Sequence, residues 1–315
     1  MRKNVFILCC LGMVILLNHS AFSQKITIEK SYPEAFLRAY DNYVNKNYAA
    51  SFEQFSALVE QTPQDREELL QDIMFYRASS AYEMMNKDAD ALLCEFISLC
   101  PQSAHCNEAY FLLANFYARG ERYDQAIEVY SKMNVAILNQ DDKFEYYYKR
   151  GHCLFMLNRY DEALEEFDNV KDAKSKFAAP STYFYAHILY EQGRYNLALK
   201  EFLTLQEDKS FGKIVPYYIA HIYYYQENYE ELIKIAPSLS EKSQSKRSGE
   251  LNRMLGDAYY KLGQYKEATP YLIKAAEQEG ADVQDYYLLG FSLMEEKDFK
   301  QAKTYLAKAI EKKDS

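Results

Sequence analysis

Three histidines, His152, His187 and His221, recur at near-regular intervals of 35 and 34 residues. Each follows a tyrosine four positions earlier, at Tyr148, Tyr183 and Tyr217. Imidazoles in register can do three kinds of chemistry: ligate a metal, titrate near pH 6.5, or hydrogen-bond a partner's backbone and nearby hydroxyls. Zinc needs its nitrogen donors about 2 Å from one ion. Residues one repeat apart would stand on helices about 10 Å apart, so the series predicts hydrogen bonding and no metal site. Other chemistry has little to stand on. The sequence has no G-x-S-x-G, no H-E-x-x-H and no phosphate loop. Acidic pairs such as Asp141-Asp142, Glu230-Glu231 and Glu295-Glu296 fall where turns or helix ends are expected, the ordinary place for solvated charge. We therefore expect a non-catalytic chain that needs no cofactor.

The N-terminus reads as an export signal. Arg2 and Lys3 precede an apolar run from Val5 to Leu17, too short to span a bilayer. Ala21 and Ser23 place cleavage before Gln24. Cys9 and Cys10 lie in the middle of the apolar run, where no lipid-anchor site is expected. Without Arg2 and Lys3 the mature chain carries 35 basic against 46 acidic residues, a formal charge of −11, which argues against nucleic acid as a ligand. Four cysteines remain, Cys94, Cys100, Cys106 and Cys153, and an exported chain can oxidise them. Cys94 and Cys100 are six residues apart on one expected helix, about 9 Å of rise and beyond disulfide reach. Cys100 with Cys106, across Pro101, is the local candidate pair; four buried thiols is the alternative.

The elements that must position these residues follow from a period of 34 to 37 residues. Small residues twelve apart mark the units: Ala114 and Ala126, Gly151 and Ala163, Ala186 and Ala198, Gly256 and Ala268, Gly290 and Ala302. An aromatic stands three before each second small residue (Tyr123, Tyr160, Tyr195, Tyr265, Phe299). A large apolar residue follows it by four (Tyr130, Phe167, Phe202, Leu272, Leu306). Spacings of three, four and seven share a helix face. Small residues let two antiparallel helices approach, and large ones fill the space around the crossing. Gly120, Asn158, Gly193, Gly263 and Lys297-Asp298 stand between the helices, where a left-handed residue closes the first helix. Repeat six has Leu232 where a small residue is expected, and repeat two, with Ser79, Tyr82 and Ala91, is only loosely in register. Pro270 predicts a kink or late start in its helix, and 238–248, with Lys242, Lys246 and Arg247, predicts a frayed polar link.

These residues resemble the tetratricopeptide repeat. The resemblance spans 32–311 and implies an all-α, right-handed superhelical solenoid of about eight helix-turn-helix repeats. Their approximate positions are 32–64, 72–103, 107–140, 144–177, 179–212, 213–245, 249–281 and 283–315, after a 1–23 signal peptide. The family's tryptophan is absent throughout; there are 31 tyrosines and no Trp. The segment from Pro101-Gln102-Ser103 to Tyr110, then Ala114 and Tyr117, is similar to one repeat of periplasmic proteins serving outer-membrane assembly and Tol-Pal function.

The resemblance further implies that first helices line a concave groove. Its offsets name Tyr148, His152, Phe155 and Met156; Tyr183, His187, Tyr190 and Glu191; and Tyr217, His221, Tyr224 and Tyr225. The flanking repeats add Phe36, Tyr40 and Tyr43; Phe111, Asn115 and Arg119; Arg253, Asp257 and Tyr260; and Tyr287, Phe291 and Met294. Much of the tyrosine excess falls on these positions. Tyrosine offers a broad apolar face and a hydroxyl at low entropy cost. The same rings could instead pack against neighbouring repeats. The carboxylate clamp of chaperone-binding relatives needs clustered Lys, Arg and Asn, and Asn115, Arg119 and Arg253 are scattered. The expected function is a protein- or peptide-binding scaffold in the periplasm, with a protein partner in the groove and membrane contact, if any, through that partner. Two alternatives are a glycan-binding module and the N-terminal input module of a longer envelope protein; solenoids need polar caps, and the last unit stops at Ser315.

Overall fold

The computed structural model describes residues 32–242, 246–278 and 280–313, with the side chains of 236–248 excepted. The export signal, its cleavage site and the centre of the polar link lie outside the described residues. Described residues form helices and turns, with no strand among them. Helices come in pairs: α1 Glu34–Val44 with α2 Tyr48–Gln61, α3 Glu67–Glu83 with α4 Ala89–Leu99, and α5 Cys106–Arg119 with α6 Tyr123–Tyr130; α7 Gln140–Met156 and α8 Tyr160–Lys171 follow in sequence. The series continues as α9 Ala178–Glu191 with α10 Tyr195–Thr204, α11 Val215–Tyr225 with α12 Tyr229–Lys242, α13 Lys246–Lys261 with α14 Tyr265–Ala276, and α15 Val283–Glu295 with α16 Phe299–Lys313. A 3₁₀ turn, Val135–Ile137, precedes α7. The chain divides into two compact units, one ending at Leu157 and one beginning at Asn158. No described helix is long and apolar enough to cross a membrane.

One local device joins the helices at seven of the eight turns. The first helix ends, one residue takes a left-handed backbone, and the second helix starts two positions later on an aromatic. Lys46, Glu121, Asn158, Gly193, Glu227, Gly263 and Lys297 are these left-handed residues; Tyr48, Tyr123, Tyr160, Tyr195, Tyr229, Tyr265 and Phe299 open the helices. The following N–H reaches back five residues, as from Arg194 to Leu189 (2.8 Å) and from Gln264 to Tyr259 (2.8 Å), satisfying carbonyls that a helix end leaves bare. Gly120 does not serve as expected. It has φ −85°, and Glu121 beside it takes φ 57°. In pair two the left-handed residue is Met85, four before α4.

Packing follows the small-residue code. In the first unit Ala114, Ala126 and Tyr130 are fully buried. In the second, Ala186, Ala198 and Phe202 are likewise buried. At Gly256 and Gly290 the approach is closest: a Cβ would sit 2.5 Å from Leu272 Cδ2 and 2.7 Å from Leu306 Cγ, respectively. Repeat six tolerates Leu232 because that side chain is itself core, packed with Leu251, Met254 and Leu255. In pair two the buried small residue on α4 is Ala89, whereas Ala91 is exposed. Its first helix begins at Glu67, and Ser80 donates to the Tyr76 carbonyl and to Ser51 Oγ (3.0 Å). The late start expected at Pro270 is absent. α14 begins at Tyr265 and runs through Pro270; the ring removes one N–H from the ladder, while Thr269 Oγ1 donates to the Tyr265 carbonyl (3.1 Å). The polar link is also shorter than expected, since helix reaches Lys242 and resumes at Lys246.

Candidate aromatic binding face

In the second unit, α9 and α11 bring Tyr183, His187, Tyr190, Tyr217 and His221 into one ring cluster. Its centre is Tyr218, a buried residue that the repeat offsets did not name. Tyr218 stacks on Phe202 (4.9 Å, 11°) and meets Tyr183, His187 and Tyr190 edge-on. Tyr183 also stacks on Phe211 (4.8 Å) and shares a hydroxyl contact with Tyr218 (3.3 Å). Tyr183, His187 and His221 are buried, so their rings cement neighbouring helices.

The outer side of the cluster is open. Tyr217, Tyr190 and Tyr224 are half-buried, and Tyr225 is 52% exposed although it stacks on Tyr195 (5.4 Å, 11°). Carboxylates hold two of these rings. Tyr217 donates to Glu250 Oε2 (2.6 Å) and Tyr224 to Asp257 Oδ2 (2.7 Å), both on α13. On α13 and α15, Tyr260 meets Phe291 edge-on (5.7 Å). Tyr287 is 49% exposed, with Met294 near it in the exposed class. Arg253 forks onto Asp285 through Nε and Nη2 (2.5 and 2.6 Å).

Burial governs the histidines of this unit. It lowers His187 to about 4 and pushes His221 down as well, against the pull of Glu250. Tyr190 places its hydroxyl 3.5 Å from His221 Nδ1. These imidazoles are neutral near pH 7.

In the first unit, α7 carries Tyr148, His152, Phe155 and Met156, all half-buried, with burial again lowering His152. Phe36 and Phe111 are buried. Tyr43 bonds Ser79 (2.7 Å), and Tyr40 meets Tyr76 edge-on (5.0 Å). Asn115 accepts from Tyr130 (2.6 Å), and Arg119 lies over the Tyr82 ring (4.5 Å).

The same unit holds a charged cluster that the repeat offsets passed over. His105, in the turn before α5, stacks on Phe75 (4.2 Å, 5°). Its Nε2 lies 3.2 Å from Asp72 Oδ1 and its Nδ1 3.9 Å from Glu108 Oε2. Tyr32 donates to the other Asp72 oxygen (2.6 Å). Burial alone would lower His105, but the bonds to Asp72 and Glu108 outweigh it and raise the imidazole to about 9. Only its place outside the His152-His187-His221 register hid it. Its 33-residue separation from Asp72, close to one repeat, was the available signal.

Among the described residues, sixteen helices in tandem, with small residues at most crossings and an aromatic opening seven of the eight second helices, define a helix-pair repeat protein. The tetratricopeptide repeat model matches residues 108–132, 144–177, 251–282 and 286–311. Those segments are tetratricopeptide repeats, a kind of repeat that serves as a scaffold for protein interaction. Similar solved structures include a tetratricopeptide repeat protein from Parabacteroides merdae ATCC 43184, 16% identical over 82% of this chain and 98% of that one, TM-score 0.48. Another is the C-terminal part of a TPR repeat-containing protein from Cytophaga hutchinsonii, 22% identical over 64% and 78%, TM-score 0.48. A third is MamA of AMB-1, 18% identical over 56% and 94%, TM-score 0.49. No curated protein matched the chain.

Proposed function

We propose that the aromatic face of the second unit holds a protein or peptide segment, and that the protein does this in the bacterial cell envelope after export. The observation that supports it is the row of accessible rings Tyr217, Tyr224 and Tyr225, braced from behind by Tyr195, Glu250 and Asp257. Rings fixed in this way lose little entropy on binding and make effective anchors. Tyr148, His152 and Phe155 supply a comparable face in the first unit, and Tyr260 and Tyr287 a third patch. The partner contacts Tyr217, Tyr225 and Tyr287, while Tyr183, His187 and His221 support the face from within.

The test follows from exposure. A Tyr183→Ala change would disturb the core, so the informative variant is Tyr217→Ala with Tyr225→Ala. After crosslinking in cells has identified a partner, this variant is expected to bind it about 30-fold more weakly, the equivalent of about 2 kcal/mol at one anchor, with its helical circular dichroism and cooperative melting retained. Unchanged affinity sinks the reading. A response to envelope polysaccharide fragments instead of protein would favour the glycan alternative. N-terminal sequencing of the fractionated protein tests export, with Gln24 as the expected first residue.

A further inference from the structure

Cys100 closes α4 and Cys106 opens α5, so the two cysteines mark the two sides of one tight turn, Pro101 to His105. Three bonds draw the sides together. The Ser103 N–H donates to the Cys100 carbonyl (3.0 Å), the Cys106 N–H to the Ser103 carbonyl (3.0 Å), and Cys106 Sγ lies 3.1 Å from the Cys100 carbonyl oxygen. Cys106 thus folds its sulfur back onto the Cys100 residue itself. The other two thiols are placed differently: Cys94 is exposed on α4, facing Tyr117, and Cys153 is buried on α7.

We propose that Cys100 and Cys106 form a redox-sensitive pair that closes into a disulfide across the Pro101–His105 turn. The oxidant is a small-molecule disulfide. The Cys106 thiolate attacks it, expelling one thiol and leaving a mixed disulfide; the Cys100 thiol then displaces the second thiol, forming the Sγ–Sγ bond. Two protons and two electrons leave the protein and two thiols of the oxidant carry them away. Cys106, the more accessible of the two, is the entry point. Burial raises both thiols, and the Cys106 thiol raises Cys100 further; this slows attack near pH 7 and favours closure at mildly alkaline pH. The bond would staple α4 to α5, joining two successive helix pairs, and would fix His105, which lies inside the closed loop, against Asp72.

The full chain is equilibrated with reduced and oxidised glutathione in graded ratio, quenched with an alkylating agent and cleaved after Glu95, which parts Cys94 from the pair. The expected product is a single peptide holding both Cys100 and Cys106, lighter by two hydrogens and unalkylated, with the oxidised chain melting about 5 °C higher than the reduced. Cys94→Ser with Cys153→Ser should behave identically, and adding Cys106→Ser should abolish both effects. Two alkylated cysteines at the highest ratio, a stable glutathione adduct at each, or a chain dimer on a non-reducing gel would each overturn the proposal.

Discussion

Two imidazoles packed among aromatic rings, one in each unit, reach opposite charge states, while His152 of the first unit is lowered like those of the second. In the first, His105 meets Asp72 and Glu108 and is raised to about 9; in the second, His187 meets rings and is lowered to about 4. Both are buried to a similar degree. What differs is the nearest acceptor: a carboxylate 3.2 Å from His105, against one 3.9 Å from His187 on the half-exposed side chain of Glu191. Burial penalises the charged imidazole in each, and a buried counter-ion at hydrogen-bond distance reverses the result. A histidine ladder by itself therefore predicts nothing about acid sensing; the carboxylates beside it do.

The sharpest way to break this contrast is Asp72→Ala. It leaves His105 near Glu108 alone and strips Tyr32 of its acceptor, so we expect a loss of about 3 kcal/mol in the first unit. His187→Gln in the second, where no charge is stranded, should cost about 1 kcal/mol. Hydrogen exchange resolved by peptide measures each unit separately; equal losses would mean that His105 carries no charge.

The contrast also predicts opposite pH dependences. The raised His105 contributes stability that is complete below about 6.5 and is lost as pH rises through about 9, worth about 3 kcal/mol at most. Glu108, raised by burial, adds in the same direction. The depressed His187 works the other way. Below about 6.5 its unfolded form takes up a proton that the folded form refuses, so the second unit weakens as pH falls towards 4, by a similar amount. Hydrogen exchange between pH 5 and 9.5, followed in the peptides that hold His105 and His187, checks this, and a common optimum for the two peptides would contradict it.

Smaller effects sharpen the comparison at the backbone. Gly256→Ala should cost the second unit about 2 kcal/mol, because the new methyl would meet Leu272 and the Leu272 backbone nitrogen only 3.2 Å away. The left-handed turns differ as well. In the first unit all three positions bear side chains, Lys46, Met85 and Glu121, while the second has glycine at two of its five, Gly193 and Gly263, beside Asn158, Glu227 and Lys297. Glu121→Gly should therefore stabilise the first unit by about 0.5–1 kcal/mol and Gly193→Ala destabilise the second by about 1 kcal/mol, both read from denaturant midpoints.

The sequence by itself determined the repeat. A small residue at a helix crossing, an aromatic at a helix start and a left-handed turn are local requirements with fixed offsets, so Ala186, Tyr195 and Ala198 announce their pair without any knowledge of the rest of the chain. It misassigned Gly120 because glycine is only the easiest route to a left-handed turn, and here the neighbouring Glu121 takes that conformation instead. It passed over Tyr218 and His105 for a different reason. Tyr183, His187 and Tyr217 share one register, yet which ring is buried and which faces out depends on Phe202, Phe211 and Tyr218, which the fold packs against them. Likewise His105 is an ordinary turn residue until α3 brings Asp72 to 3.2 Å. Periodicity fixes which face of a helix a side chain occupies; only the packed neighbours decide whether that face is solvent, ring or counter-ion, and so whether the side chain binds, cements or carries charge.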